Sequence, residues 1–368
     1  MMKKSFKFIP FILLVAFSCN KQNRFQQIAT QDIPEAQTEI IRMDKEIYQL
    51  DQCITKPART GNYDMLTVNI PKGDSICLSE KIDAIKAKHG ERFQLYLYQL
   101  GAMTGAQDIH PSTLLYLFLS HPAYSDLYKD CEKEYEDVSD LEKDFTNAFS
   151  RAKTLIPSFR IPKVCTFFSG FAEYIAADSF SVYVSVEYFL GANYENYKYV
   201  PGIYDYMIPN LKREKLVPDA LYHWICSEYP ITNEGGGNLL DNMIHYGKML
   251  YIEEALLPQK DKKLFIGYDQ GQWEWCEQNE KNMWNYLREH NLLFSTDSKT
   301  ISDFIYPANN TKYFSDDNQH QAPSQAVLWL GWKIVSQYMD RNEQISLEEL
   351  LTDNKDAQMI LAQSNYRP

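Results

Sequence analysis

The sequence is poor in the spacings that most often announce an enzyme. None of its seven cysteines forms a Cys-x-x-Cys pair, which excludes zinc ribbons and thioredoxin-type redox motifs. No Gly-x-Ser-x-Gly occurs, so the strained turn that presents a hydrolase serine is missing. The glycine run Gly235–Gly237 is not followed by Gly-Lys-Ser/Thr, as a nucleotide loop requires. Of the histidines His89, His110, His121, His223, His245, His290 and His320, none opens a His-Glu-x-x-His. Basic residues are outnumbered, 37 Lys and Arg against 49 Asp and Glu, giving a formal net charge of −12. Such a surface repels phosphates, so nucleic acid is not an expected partner.

What is present begins at the N-terminus. "MMKKSFKFIPFILLVAFSCNKQ" joins three lysines (Lys3, Lys4, Lys7) to an apolar run from Phe8 to Phe17, with small Ala16 and Ser18 just before Cys19. The run is too short to span a bilayer and has the layout of a secretory signal. A cysteine at the cleavage point resembles a bacterial lipobox, in which the thiol is diacylated and becomes the new N-terminus. Residues 1–18 are thus expected to be a signal peptide, 19–37 a lipid-anchored tether, and 38–366 the folded domain. Cleavage leaves 350 residues and, with three lysines gone, moves the net charge from −12 to −15. No later segment approaches the length of a membrane span.

An exported compartment permits disulfides, but wide spacings and a large core make stapling unnecessary. Buried free thiols are therefore the expectation for Cys53, Cys77, Cys131, Cys165, Cys226 and Cys276.

Residues 37–51 read as a helix, followed by a loop region through the sixties and seventies. Apolar residues then recur every three to four positions from Ser79 to Met103 and from His110 to Ile156, the mark of amphipathic helices. "KVCTFFSG" and "SVYVSVEYFLG" are short, β-branched and aromatic, with Val182, Val184 and Val186 alternating around Tyr183, Ser185 and Glu187, and read as strands. Helices return over 218–229, 238–257, 271–293 and 324–339. The fold class is α+β: a mostly helical single domain with a small mixed or antiparallel sheet.

"IIRMDKEIY", "IPKVCTFFSGF", "SVEYFLGANY", "LLDNMIHYGKMLYI", "WCEQNEKNMWNYLREHNLLFSTD" and "WLGWKIVSQYM" occur in this order. The ordered set resembles the gliding motility lipoprotein B (GldB) family over roughly residues 38–366. The resemblance implies a cell-envelope lipoprotein with partners in the motility and linked secretion apparatus. The lipobox puts the membrane-anchoring lipid on Cys19, and "NKQNRFQQ" after it lacks an acidic cluster resembling a surface-export tag, so the body is expected on the periplasmic side of the cell membrane or, as the other placement, of the outer membrane.

The order of strand, helix, second helix and "LGWKIV" is also similar to gluzincin-type zinc metallopeptidases. Their mechanism needs two histidines four apart on one helix, a Glu between them to deprotonate water, and a Glu ligand on the next helix. Here "HWICS" offers His223, but Trp224 stands in place of the base and Ser227 in place of the second ligand, while the third ligand would fall on Tyr246. A degenerate zincin-like fold without cofactor is the expectation. Cys226, three residues from His223, shares a helix face with it and is not read as a catalytic dyad. The abundant carboxylates single out no glycosidase-like pair.

In "NEGGGNLLDNMIHYGKMLYIEE", Asn238 is placed to cap a helix with Asp241 at the third position, and the glycines let the chain turn in. Leu239, Leu240, Met243, Ile244, Gly247, Leu250 and Tyr251 form the apolar face. His245 lies beside it, with Asp241 as the expected hydrogen-bond partner, and Gly247 is expected to let another backbone approach. Trp273 and Trp275 join His245 as interaction candidates. Three functions follow: a non-catalytic interaction or scaffold lipoprotein, favoured because it uses the ordered signatures; a glycan-binding lipoprotein with Trp273 and Trp275 on one exposed platform; or a metal-dependent hydrolase with His223 near two further ligands.

Overall fold

The computed structural model describes residues 23–28, 36–55, 70–104, 109–231, 236–308, 311, 313–314, 322–352 and 355–368. The expected signal peptide and Cys19 lie outside the described residues, as do Gly235 and His320. Four strands make the sheet: β1 (Ile41–Arg42), β2 (Lys163–Phe167), β3 (Ile175–Ala177) and β4 (Ser181–Ser185). Their order is β1-β2-β4-β3. β1 and β4 both run parallel to β2, with Cys165 opposite Ile41 and Tyr183, and β3 closes the edge antiparallel to β4.

The helices are α1 (Met43–Tyr48), α2 (Lys72–His89), α3 (Glu91–Thr104), α4 (Pro111–Ser120), α5 (Pro122–Glu134), α6 (Ser139–Leu155), α7 (Arg213–Glu228), α8 (Leu239–Leu256), α9 (Lys262–Ile266), α10 (Gln270–Glu289), α11 (Ser298–Ile305), α12 (Ala326–Arg341), α13 (Leu347–Thr352) and α14 (Ala357–Ser364). The mostly helical α+β domain with a small mixed sheet is thus the observed architecture. Among the described residues no helix is long and apolar enough to cross a membrane.

Several local expectations are corrected. The 37–51 segment is not one helix: Ile41–Arg42 pair with β2 before α1 begins, and 49–53 tighten into a 3-10 turn. The pull of the parallel ladder overrides the local helical spacing. α2 starts at Lys72, so the described part of the seventies is helical. α7 starts at Arg213, with Pro218 inside it. The Arg213 guanidinium donates to Asp140 and to the carbonyls of Glu134 and Asp137, which fixes this early start. β4 ends at Ser185, and Val186–Phe189 form a 3-10 turn. Every residue of β4 is buried, so its valine alternation does not mark one wet face: a strand in the parallel part of a covered sheet is apolar on both sides.

Cys53 and Cys77 form a disulfide with Cα atoms 5.5 Å apart, against the expectation of free thiols. The reason lies in the chain fold between them: Thr55 donates from its amide and hydroxyl to Asp74 (3.0 and 2.8 Å), laying the 49–53 turn against the start of α2. Cys131, Cys165, Cys226 and Cys276 are free.

α8 is the axis of the helical layer. Fourteen of its 18 residues are buried, so it is enclosed on all sides rather than along one stripe. α12 crosses it with backbones in contact: a Cβ added at Gly247 would lie 2.4 Å from the Gly331 carbonyl carbon, and one added at Gly331 would lie 1.9 Å from the Met243 oxygen. Gly247 thus admits a second backbone as its sequence suggested, and the partner is the glycine of "WLGWKIV".

Residues 23–28, within the expected tether, are packed onto the domain. Asn23 is 4% exposed and donates to the Tyr251 carbonyl (3.0 Å). The Phe25 ring stands edge-on to Tyr251, and buried Arg151 donates to the carbonyls of Phe25, Ile28 and Ala255. The Arg24 guanidinium donates to the carbonyls of Met339 and Ile345, a cation at the carboxyl end of α12 where the helix dipole favours it.

Candidate functional site

α7 packs against β3, β4 and α8, so one of its faces meets both the sheet edge and the axial helix. Along that face Lys215, Asp219 and His223 follow at intervals of four, one above the other. Lys215 is 6% exposed; its ammonium lies 2.7 Å from Asp219 Oδ1 and donates to the Leu264 carbonyl at 2.9 Å. The Tyr174 hydroxyl, from the residue before β3, donates to Asp219 Oδ2. His223 Nδ1 stands 2.9 Å from the Asp219 carbonyl oxygen. A carbonyl only accepts, so Nδ1 carries the proton and Nε2 alone is left to ligate.

From α8, Glu253 completes the cluster. It is fully buried, with no hydrogen-bond partner at either carboxyl oxygen. Burial pushes its pKa well above the carboxylate range; Lys215 opposes that rise and Asp219 adds to it. With the folded pKa above the ordinary value of 4.5, the native state keeps a proton that the unfolded chain releases. The stability this confers is full below about pH 4.5 and is lost as pH climbs through the folded pKa. Glu253→Gln, a neutral isostere, is therefore expected to match the parent in unfolding free energy at pH 4.5 and to exceed it by about 1–3 kcal/mol at pH 8. A free-energy difference that stays constant over this range would show that folding leaves the pKa of Glu253 unchanged.

The three zincin-derived positions are not joined by a hydrogen bond. Ser227 is exposed and donates to the Trp224 carbonyl of its own helix (2.9 Å). Trp224 is buried and donates to the Arg160 carbonyl, a packing role in the place of a base. Tyr246 is half-buried with its ring edge-on to His245. Among the described residues no three His, Cys, Asp or Glu side chains are grouped to hold a metal. The residues do not fit a zinc centre: of the three positions only His223 carries a zinc-binding side chain, since Ser227 and Tyr246 present hydroxyls and Trp224 stands where the base would be. Lysine, aspartate and Glu253 escaped the sequence reading because it sought histidine pairs. The four-residue ladder from Lys215 to His223 was the available signal.

His245 lines a groove of about 840 Å³ between the start of α8, the end of α7 and the α13–α14 region, together with Asn238, Asp241, Lys248, Leu351 and Gln358. Its expected partner Asp241 is engaged elsewhere. Asp241 accepts from the Asn238 amide (2.9 Å) while Asn238 accepts from the Asp241 amide (3.0 Å), a complete capping box. Gly236 and Gly237 enter the helix with φ of 82° and 71°, backbone that glycine adopts without penalty. Burial, with Lys248 adding to it, pushes the His245 pKa down to about 4, so the ring is neutral at neutral pH and contributes shape and polarity to the groove rather than charge.

Trp273 and Trp275 do not form one exposed platform. Two positions apart on α10, they leave the helix about 200° apart, and both rings are half-buried against the core. Trp273 stands edge-on to Trp329 and Trp332, with centroids 6.1 and 5.9 Å away. Among the described residues the most exposed aromatic is Tyr199, at 82%.

No curated protein and no solved structure matches the chain. The family model described as gliding motility protein GldB matches residues 62–368, which include α7, α8, α12 and the whole groove. That match covers most of the chain, and the protein belongs to the GldB family of gliding motility lipoproteins.

Proposed function

We propose that the protein is a non-catalytic interaction lipoprotein, anchored through a lipid on Cys19 at the periplasmic side of the envelope, which holds a component of the motility and secretion apparatus in the His245 groove. One observation carries the non-catalytic part: Ser227 and Tyr246 stand where a zincin would place its other two ligands, and buried Trp224, donating to the Arg160 carbonyl, stands in place of the base. The groove supplies the binding part. Its volume falls in the range of ligand and peptide sites, and Ile244, Met249 and Leu351 give it apolar ground between charged rims.

The test uses exposed Thr352 and Gln358 at its edge. Thr352→Arg with Gln358→Arg is expected to leave the unfolding free energy within about 0.5 kcal/mol of the parent, as surface changes do, and to abolish motility or secretion in cells lacking the native copy. Full function in the double variant would remove the groove from the mechanism. Stoichiometric zinc in protein spanning residues 20–368, purified without chelators, would overturn the non-catalytic reading.

A further inference from the structure

The expected tether is mostly spent before it leaves the lipid. Asn23, Arg24, Phe25 and Arg151 fix residues 23–28 to the ends of α8 and α12. Only four peptide steps separate Cys19 from Asn23, a reach of about 14 Å fully extended. That is less than half the roughly 30 Å thickness of a bilayer core, so a lipid on Cys19 leaves the domain little freedom to stand off or turn. We propose that the docked segment holds one face of the domain against the lipid headgroups: the cleft of about 340 Å³ beside Gln26, lined by Pro258, Lys260, Lys262, Lys263 and Trp273. This rests on the proposed lipidation of Cys19.

The chemistry of the face suits that position. Three lysines fall within four residues of an otherwise acidic chain, and each is paired: Lys260 with Asp144 (2.6 Å), Lys262 with Glu254 (2.5 Å) and Lys263 with Asp261 (2.9 Å). With Arg24 added, the rim carries no net negative charge to repel phosphates, whereas the chain as a whole carries −12. Trp273 brings an amphipathic ring of the type that settles at headgroup level, and Ile28, 41% exposed, adds an apolar side chain at the end of the docked segment. The orientation leaves partner binding to other faces of the body, and it makes the segment after the lipid an orienting device rather than a leash.

The experiment uses the full-length lipidated protein in vesicles of phosphatidylethanolamine and phosphatidylglycerol carrying a phospholipid with a photoreactive diazirine near its headgroup. Mass spectrometry of the N-terminal peptide first reads the acyl chains on Cys19. Adducts are expected to concentrate on residues 258–263 and Trp273. Inserting about 20 Gly/Ser residues between Gln22 and Asn23, which leaves the dock untouched, is expected to spread them over the surface and cut the yield at 258–263 at least threefold. An unmodified Cys19 would sink the lipoprotein reading itself. Acylated protein with adducts spread evenly or centred elsewhere would overturn the orientation alone, as would a pattern unmoved by the insertion.

Discussion

Gly331→Ala is expected to lower stability by about 3 kcal/mol, the upper end of what overpacking costs, and the Tm by roughly 4 °C at this chain size. The added Cβ would sit 1.9 Å from the Met243 carbonyl oxygen. That oxygen belongs to the helical backbone of α8 and cannot rotate away, so the two helices must separate. Separation in turn loosens the core around the crossing, where Leu330, Ile334 and Val335 of α12 are fully buried. Gly73→Ala is the matched control, because a Cβ there meets nothing within 4 Å and removing a helical glycine is neutral or mildly stabilising. Thermal denaturation of the two variants decides the matter. Equal Tm values would mean that the α8–α12 crossing is looser than its backbone contact implies.

Removing the Cys53–Cys77 bridge carries the second large effect. It closes a loop with a sequence separation of 24, for which the chain-entropy account gives about 3 kcal/mol. The double variant Cys53→Ser, Cys77→Ser is expected to unfold at lower urea by that amount and to lose all sensitivity to reductant. The parent should show the same shift on reduction. The other described cysteines serve as an internal check: burial pushes the Cys165 and Cys276 thiols up to about 12, so neither supplies a reactive thiolate for exchange at neutral pH. A parent protein indifferent to reductant would remove the bridge from the stability of the fold.

The features legible in the sequence were those written in local chemistry. Asn238 and Asp241 stand three apart and cap α8 as such a pair should; the apolar positions of α8 are all buried; Gly247 meets a second backbone. The features that were not legible depend on residues far apart. Ile41 and Arg42 sit in a helical spacing and become strand only because β2, more than a hundred residues on, offers a ladder. Cys53 finds Cys77 through Thr55 and Asp74, whose meeting no spacing encodes. At the candidate site the histidines drew attention, yet the cluster is organised by Lys215, Asp219 and Glu253. A buried glutamate with no hydrogen-bond partner looks, in sequence, like any exposed one near the end of an amphipathic helix.

The Arg24 contacts also set an order of events. Met339 and Ile345, whose carbonyls hold its guanidinium, lie 315 and 321 positions further along the chain. During synthesis the first residues to emerge therefore have nothing to dock on until nearly the whole chain has followed. Contacts of such separation form slowly, since a very long loop must close before they bring any gain. The end that arrives first is thus the piece fitted last, and a truncated or stalled chain would leave it without a dock.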